Sequence, residues 1–310
     1  MPDIKYIDMT VSEMERAIAF YSQVLSFEKL SDIELYGTQW ERLFGLFGLR
    51  MRVVKMQLGN EVISLTEYLT PKGRKIPADF RSNDRSFQHI AIVVSDMDKA
   101  YQHLRKYKFQ HVSTAPQQLP DWNPDVGGVK AFYFQDPDGH NLELIQFPSD
   151  KIEEKWQQKD QSKLFLGIDH TAVVVANAAA SIKFYCELIG LELMQQAQNY
   201  GTEHEHLSGV FGVKISINSL KANNGNGFEV LEYIAPTNGK PMPCDSCAND
   251  LWHYHTTMKV SDLEAIASKL RERSVRFISP GVVKLPSDEL GFTKGLAIAD
   301  LDGHVLHLVE

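Results

Sequence analysis

Three cysteines in 310 residues are too few to staple a chain of this length, which points to a reducing, cytoplasmic setting. Apolar runs are short. None approaches the ~20 residues that a spanning helix needs, so no membrane association is expected. The opening residues, MPDIKYIDMT, carry charge from Asp3 onward and no apolar core, so no signal peptide is expected there. Positive charge is scarce too. Lys and Arg number 32 against 40 Asp and Glu, a net charge of −8 with no basic stripe, which argues against a nucleic-acid partner. What is present is an ordinary soluble composition, 43% hydrophobic and 23% charged, which excludes a disordered, collagen-like or coiled-coil chain. At roughly 100–150 residues per domain, the length suggests two domains.

The chain repeats itself. DMTVSEMERAIAFYSQVLSFEKL, from Asp8, matches DHTAVVVANAAASIKFYCELIGLEL, from Asp169, and Phe20-Tyr21 aligns with Phe184-Tyr185. TEYLTPKGRKIP pairs with LEYIAPTNGKPMP, VSDMDKA with VSDLEA, and DPDGHNLEL with DLDGHVLHL. The offsets stay at about 164–166 throughout, so insertions between the copies are small. Two homologous domains are expected, 1–150 and 164–310, joined by a polar linker at 151–163 with room for a helical turn or two.

Each half divides again. Residues 4–11 alternate and are β-branched, as a strand should be. Ser12, with Glu15 three residues on, reads as a capping box opening a helix whose apolar face holds Met14, Ala17, Ile18 and Val24. Strand-like runs follow at 29–33, 50–58 and 61–68. The pattern restarts with a strand at 88–94, a helix over 95–106 and strands near 111–113, 129–135 and 141–146. The second half repeats both units, with Ser261 and Glu264 as a further capping box. The expectation is an α+β fold of four βαβββ units, whose sheets curve in pairs so that each buries an apolar face.

Four tandem βαβββ units, the Phe-Tyr pair of the first helix and the turn-plus-strand DPDGHNLEL together resemble the vicinal oxygen chelate superfamily. That group includes glyoxalase I, extradiol dioxygenases and bleomycin-resistance proteins. The resemblance covers nearly the whole chain outside the linker. It implies that paired units cup one divalent metal, with ligands on the first and last strands of each unit. Those positions here are Tyr6 and Ser64, His89 and Glu143, His170 and Glu229, and His255 and His307.

Which units pair decides the site. Sequential pairing gives a poor set, Tyr6, Ser64, His89 and Glu143, beside a usable one, His170, Glu229, His255 and His307. Crossed pairing of the second and third units gives His89, Glu143, His170 and Glu229. It leaves Tyr6, Ser64, His255 and His307 as a degenerate second cleft. Both arrangements stay open. The crossed one is preferred because it collects two imidazoles and two carboxylates, the ligand set of bacterial-type glyoxalase I, in one cleft.

The implied cofactor is one divalent ion, with Ni, Zn, Co, Fe and Mn all compatible with imidazole and carboxylate. The implied activity is that of a glyoxalase-like lyase or isomerase on a small substrate with vicinal oxygens. Glu143 and Glu229 are the candidate catalytic bases. An extradiol dioxygenase, needing two His and one carboxylate, is the second reading. A metal-free binding protein of the bleomycin-resistance kind is the third. The partner is a small molecule, and the chain is expected to be a monomer or homodimer.

Other features carry blander readings. His140 and His304 belong to the turn and are expected to be structural. Cys244 and Cys247 form an isolated C-x-x-C without a second pair, a weak zinc or redox signal. His204-Glu205-His206 reads as a polar loop or strand. Trp252 to His255 reads equally as cleft lining or as a packed strand start. The segment around Pro120, Trp122 and Gly127-Gly128 reads equally as a lid over a pocket or as a surface turn.

Overall fold

The computed structural model describes residues 1–157, 160 and 162–310. Its first unit runs β1 (Asp3–Val11), α1 (Met14–Gln23), β2 (Glu28–Tyr36), α2 (Thr38–Phe44), β3 (Arg50–Leu58) and β4 (Glu61–Thr70). The second runs β5 (Gln88–Val94), α3 (Met97–Leu104), β6 (Gln110–His111), β7 (Gln117–Gln118), β8 (Lys130–Gln135) and β9 (Asn141–Gln146). A short α4 (Glu154–Gln157) lies in the connection. The third unit comprises β10 (Phe165–Val174), α5 (Ala178–Lys183) continued by a π-helical turn (Phe184–Ile189), β11 (Glu192–Tyr200), α6 (Thr202–Ser208), β12 (Lys214–Lys221) and β13 (Gly227–Ala235). The fourth comprises β14 (Tyr254–Lys259), α7 (Leu263–Glu272), β15 (Arg276–Phe277), β16 (Val283–Lys284), β17 (Lys294–Ala299) and β18 (Val305–Val309).

The fold is α+β with two curved mixed sheets. One sheet has the order β15-β17-β18-β14-β1-β4-β3-β2 and the other β11-β12-β13-β10-β5-β9-β8-β6. The first unit therefore shares a sheet with the fourth, and the second with the third. Both seams are antiparallel: Asp8 lies opposite His255 across β1 and β14, and Ala172 opposite His89 across β10 and β5. The units thus take the crossed arrangement.

Helices α1 and α3 fill the space between the sheets. Met14, Ala17, Phe20 and Tyr21 meet Met97, Ala100 and Leu104 in one core with Met9 and Ile92. The Phe-Tyr pair and the Asp-rich turn prove to be one device. Tyr21 Oη donates to Asp136 Oδ2 at 3.2 Å, and Tyr185 Oη donates to Asp300 Oδ2 at 2.8 Å. Asp136 Oδ1 also accepts the amides of Asp138 and His140, and Asp300 Oδ1 those of Asp302, Gly303 and His304. Gly139 and Gly303 stand at φ 95° and 103°, which explains the glycine in both turns. His140 pairs with Asp136 at 2.8 Å and the Leu251 carbonyl at 2.7 Å. His304 meets the Val174 carbonyl at 2.8 Å. Both histidines hold structure together.

Several local expectations need correction. The caps lie one residue beyond Ser12 and Ser261. Glu13 accepts from the Arg16 amide at 3.4 Å and Asp262 from the Ala265 amide at 2.9 Å. Asp96 and Asn177 cap the other two units in the same way. A carboxylate or amide one position later reaches the N3 amide, so it displaces the serine as cap. Ser12 instead donates through its amide and hydroxyl to Asp138. The strand expected near 111–113 closes after His111. Helix α2 lies where no element was expected, and helix α6 replaces what read as a polar loop or strand at His204 to His206. The linker is not wholly solvated: Trp156 is fully buried, and its Nε1 donates to Asp169 at 3.1 Å. The linker residues 158, 159 and 161 lie outside the described residues.

Candidate metal centre

Four neighbouring strands, in the order β13-β10-β5-β9, each carry one candidate side chain, Glu229, His170, His89 and Glu143. The last three gather closely, and Glu229 lies beside His170. His89 Nε2 lies 3.1 Å from Glu143 Oε2, and His170 Nε2 lies 3.6 Å from the same oxygen and 3.4 Å from Glu229 Oε2. The ligand atoms of His89, Glu143 and His170 all fall within 4.8 Å of one another. Ser219 Oγ donates to Glu229 Oε1 at 2.7 Å, leaving Oε2 for His170. Asp169 Oδ2 takes His170 Nδ1 at 2.9 Å and so turns Nε2 toward the cluster.

The electrostatics are those of a cation site. His89 is buried and, among the described residues, neither ring nitrogen has a hydrogen-bond partner, despite the closeness of Glu143. An orphaned buried imidazole is costly. Burial disfavours the charged form of His170, but Glu229, Asp169 and Glu143 outweigh it and push the imidazole up to about 10. Three carboxylates gathered on one imidazole leave excess negative charge in a region of low dielectric. Imidazole nitrogens and carboxylate oxygens in this proportion fit a divalent cation, which would supply the missing partner of His89 and neutralise the surplus.

The cluster opens on a cavity of about 690 Å³ lined by Glu143, His170 and Glu229. Its walls are largely apolar, including Tyr133, Ile145, Leu207 and Leu231. Burial, chiefly, and the nearby Glu143 carboxylate hold the Tyr133 phenol well above its ordinary range, so it stays protonated. Leu119, Asp125 and Val126 line the cavity, so the segment around Trp122 forms one wall. It is tied down on both sides. Asn123 Nδ2 donates to Asn199 Oδ1 at 2.7 Å, and Lys151 Nζ to the Pro124 and Gly127 carbonyls, each at 2.8 Å.

The other predicted positions, Tyr6, Ser64, His255 and His307, also meet, in the sheet of the first and fourth units. That cleft is filled. Trp40, Phe44, Tyr68, Leu290 and Phe292 pack into one core there. The Phe44 ring lies 4.9 Å from His307 and 5.8 Å from His255, and the two imidazoles stack at 3.8 Å. Burial drives His307 down to about 3; burial and neighbouring imidazoles hold His255 well below its usual value. Asp8, in the same cluster, is raised to about 7 by burial. Trp252 and Tyr254 are buried in packed structure, the latter with its ring 5.5 Å from His140. Cys244 and Cys247 are exposed, and the Cys247 amide donates to Asp250, which also binds Arg74.

Asp169, Ser219, Tyr133 and Asp8 were missed by the sequence reading. Asp169 had a readable signal, a carboxylate adjacent to the candidate ligand His170. Ser219 and Tyr133 had none, because only strand register brings them to the site.

The arrangement of paired βαβββ units around a His and Glu cluster defines an α+β cleft protein whose clustered residues fit a divalent cation. The chain belongs to the Glyoxalase/Bleomycin resistance protein/Dioxygenase superfamily, which it matches over residues 3–144 and 167–308. A 2-epi-5-epi-valiolone epimerase from Actinomyces sp. is 27% identical over 151 residues, 47% of this chain and 80% of that protein. Glyoxalase I from Zea mays has a similar fold at 16% identity and a TM-score of 0.62, covering 100% of this chain and 92% of its own. A putative dioxygenase from Bacillus subtilis is similar at 13% identity and a TM-score of 0.58, covering 99% of this chain and 84% of its own. No described helix is long and apolar enough to cross a membrane.

Proposed function

We propose that this protein is a metal-dependent isomerase of the glyoxalase-like kind that shifts a proton on a small substrate with vicinal oxygens. The observation that carries the reading is the gathering of His89, Glu143 and His170, with Glu229 beside His170, against one large cavity, while the equivalent cleft is packed shut. A divalent ion held by these four would act as a Lewis acid toward two neighbouring substrate oxygens. Glu229 and Glu143 stand on strands either side of the central pair, so one can take a proton from carbon and the other can return it. Glu229 is the more accessible and the better placed to accept. Ser219 holds its other oxygen, and Tyr133 keeps its proton beside the cluster. The likeness to an epimerase agrees with proton removal and return at one carbon. A cavity of about 690 Å³ suits a substrate larger than a three-carbon unit.

The test is metal analysis of the purified protein, followed by deuterium exchange at carbon in hydroxyketones and hydroxylated cyclic ketones. Bound metal near one per chain with exchange that Glu229→Gln abolishes is expected. Metal-free protein would sink the reading in favour of a binding protein. One observation favours a second enzyme reading: His89, Glu143 and His170 alone make a two-His, one-carboxylate group of the kind that holds non-haem iron. Oxygen uptake with catechols would establish the extradiol alternative.

A further inference from the structure

The helix α6 contributes His204 and Leu207 to the wall of the same cavity. His204 is only 3% exposed, and its Nδ1 is buried without a hydrogen-bond partner among the described residues. Burial holds the ring neutral, down to about 4. The internal repeat shows what packing alone would ask for at this place. At the offset of 164, TQWERLF of α2 aligns with TEHEHLS of α6, so Trp40 corresponds to His204 and Phe44 to Ser208. In the first copy the two aromatics plug their cleft. In the second an imidazole and a hydroxyl replace them and the cavity stands open. Where the first copy fills its cleft with an indole, the second brings an imidazole to the cavity wall.

Building on the metal-site reading above, we propose that His204 is a substrate-binding residue, hydrogen-bonding a hydroxyl group remote from the chelated oxygen pair. The substrate class is then a polyhydroxylated ketone or similar polyol with at least three oxygens. His204 stands on α6, which packs against β7, β8 and β11 and carries none of the cluster residues, so the hydroxyl it would meet is a third oxygen beside the chelated pair. With Nδ1 closed off, Nε2 is the atom the ring can offer. The neutral ring can donate or accept there without a change of charge.

Two pyrone chelators test this, because they present the same vicinal hydroxyketone and differ by one distant hydroxyl: kojic acid and allomaltol. The zinc-loaded full chain is titrated with each by calorimetry, with zinc content measured in every sample. The wild type is expected to bind kojic acid roughly 10-fold more tightly. His204→Phe should erase that preference while keeping zinc and allomaltol affinity, and His204→Gln should restore part of it. A wild type without the preference, or a preference that survives His204→Phe, would overturn the assignment. A wild type that takes up no zinc defeats the metal-site reading itself, and with it this inference. Metal retention therefore separates the two failures.

Discussion

At the scale of single residues, the cluster is built from positions whose value depends on what each neighbour leaves free. His89 has close contact with Glu143 but no hydrogen bond, whereas His170 is oriented from behind by Asp169. The two imidazoles should therefore fail differently. His89→Ala removes a candidate ligand nitrogen, and zinc affinity should fall by at least ~100-fold, with a stability cost from the cavity left among Phe87, Tyr133 and His170. Asp169→Asn keeps the ligand set but loosens His170, a change of the kind that typically costs ~10–100-fold in metal affinity. Equilibrium dialysis with competing chelators, run beside urea titrations, measures both effects. Equal zinc affinity in the wild type and His89→Ala would remove His89 from the site. Glu143→Gln and Glu229→Gln should each lower proton exchange by ~10²–10⁴-fold, the usual cost of losing a general base.

At the scale of elements, the repeat explains both the legible and the illegible parts of the sequence. The Phe-Tyr pair and the D-x-D-G-H turn stood out as separate motifs, yet Tyr21 with Asp136 and Tyr185 with Asp300 are single hydrogen-bonded units. Their spacing is preserved because each helix must reach the turn of the following unit. The strands carrying His89, Glu143 and His170 were readable as short apolar, β-branched runs, because β5, β9 and β10 are buried along nearly their whole length. The helices α2 and α6 were not. Each spans only 7 residues, too few for a helical period to emerge, and each opens after a glycine without a side-chain cap. The true caps at Glu13 and Asp262 lay beside serines that fit the usual pattern equally well. Asp300 illustrates how much one such device holds. It accepts three amides and a phenol while largely buried. Asp300→Ala should cost ~3 kcal/mol or more, since several buried donors lose their acceptor, whereas Tyr185→Phe should cost about 1–2 kcal/mol. Urea unfolding midpoints at constant slope provide the comparison.

At the scale of the whole molecule, the crossed sheets make the two halves interdependent. Residues 164–310 alone would leave β10 and β14 without β5 and β1, exposing two long edges. That half is expected to self-associate, and mixing it with residues 1–150 should restore a one-to-one complex by light scattering. Buried neutral histidines in both clefts set the response of the whole fold to acid. His204 and His253 are held at about 4 and His307 at about 3 by burial, and His255 lies well below its usual value. The unfolded chain protonates these four near 6.5, so between pH 6.5 and about 4 it binds more protons than the native state. Stability therefore falls as pH drops through that window. Asp8 acts in the opposite sense. Raised to about 7 in the folded state, it takes up a proton there before the unfolded chain does, and offsets one histidine. His140 and His170, raised to about 9 and 10, are protonated in both states below 6.5 and drop out of the balance. The histidines outweigh Asp8, so stability rises with pH across the window, each proton being worth about 1.4 kcal/mol per pH unit. His307→Leu should reduce that slope by about one proton. The measurement is urea unfolding of both proteins at half-unit steps from pH 7 to 4.5. Parallel curves would mean that His307 is not held neutral in the native fold.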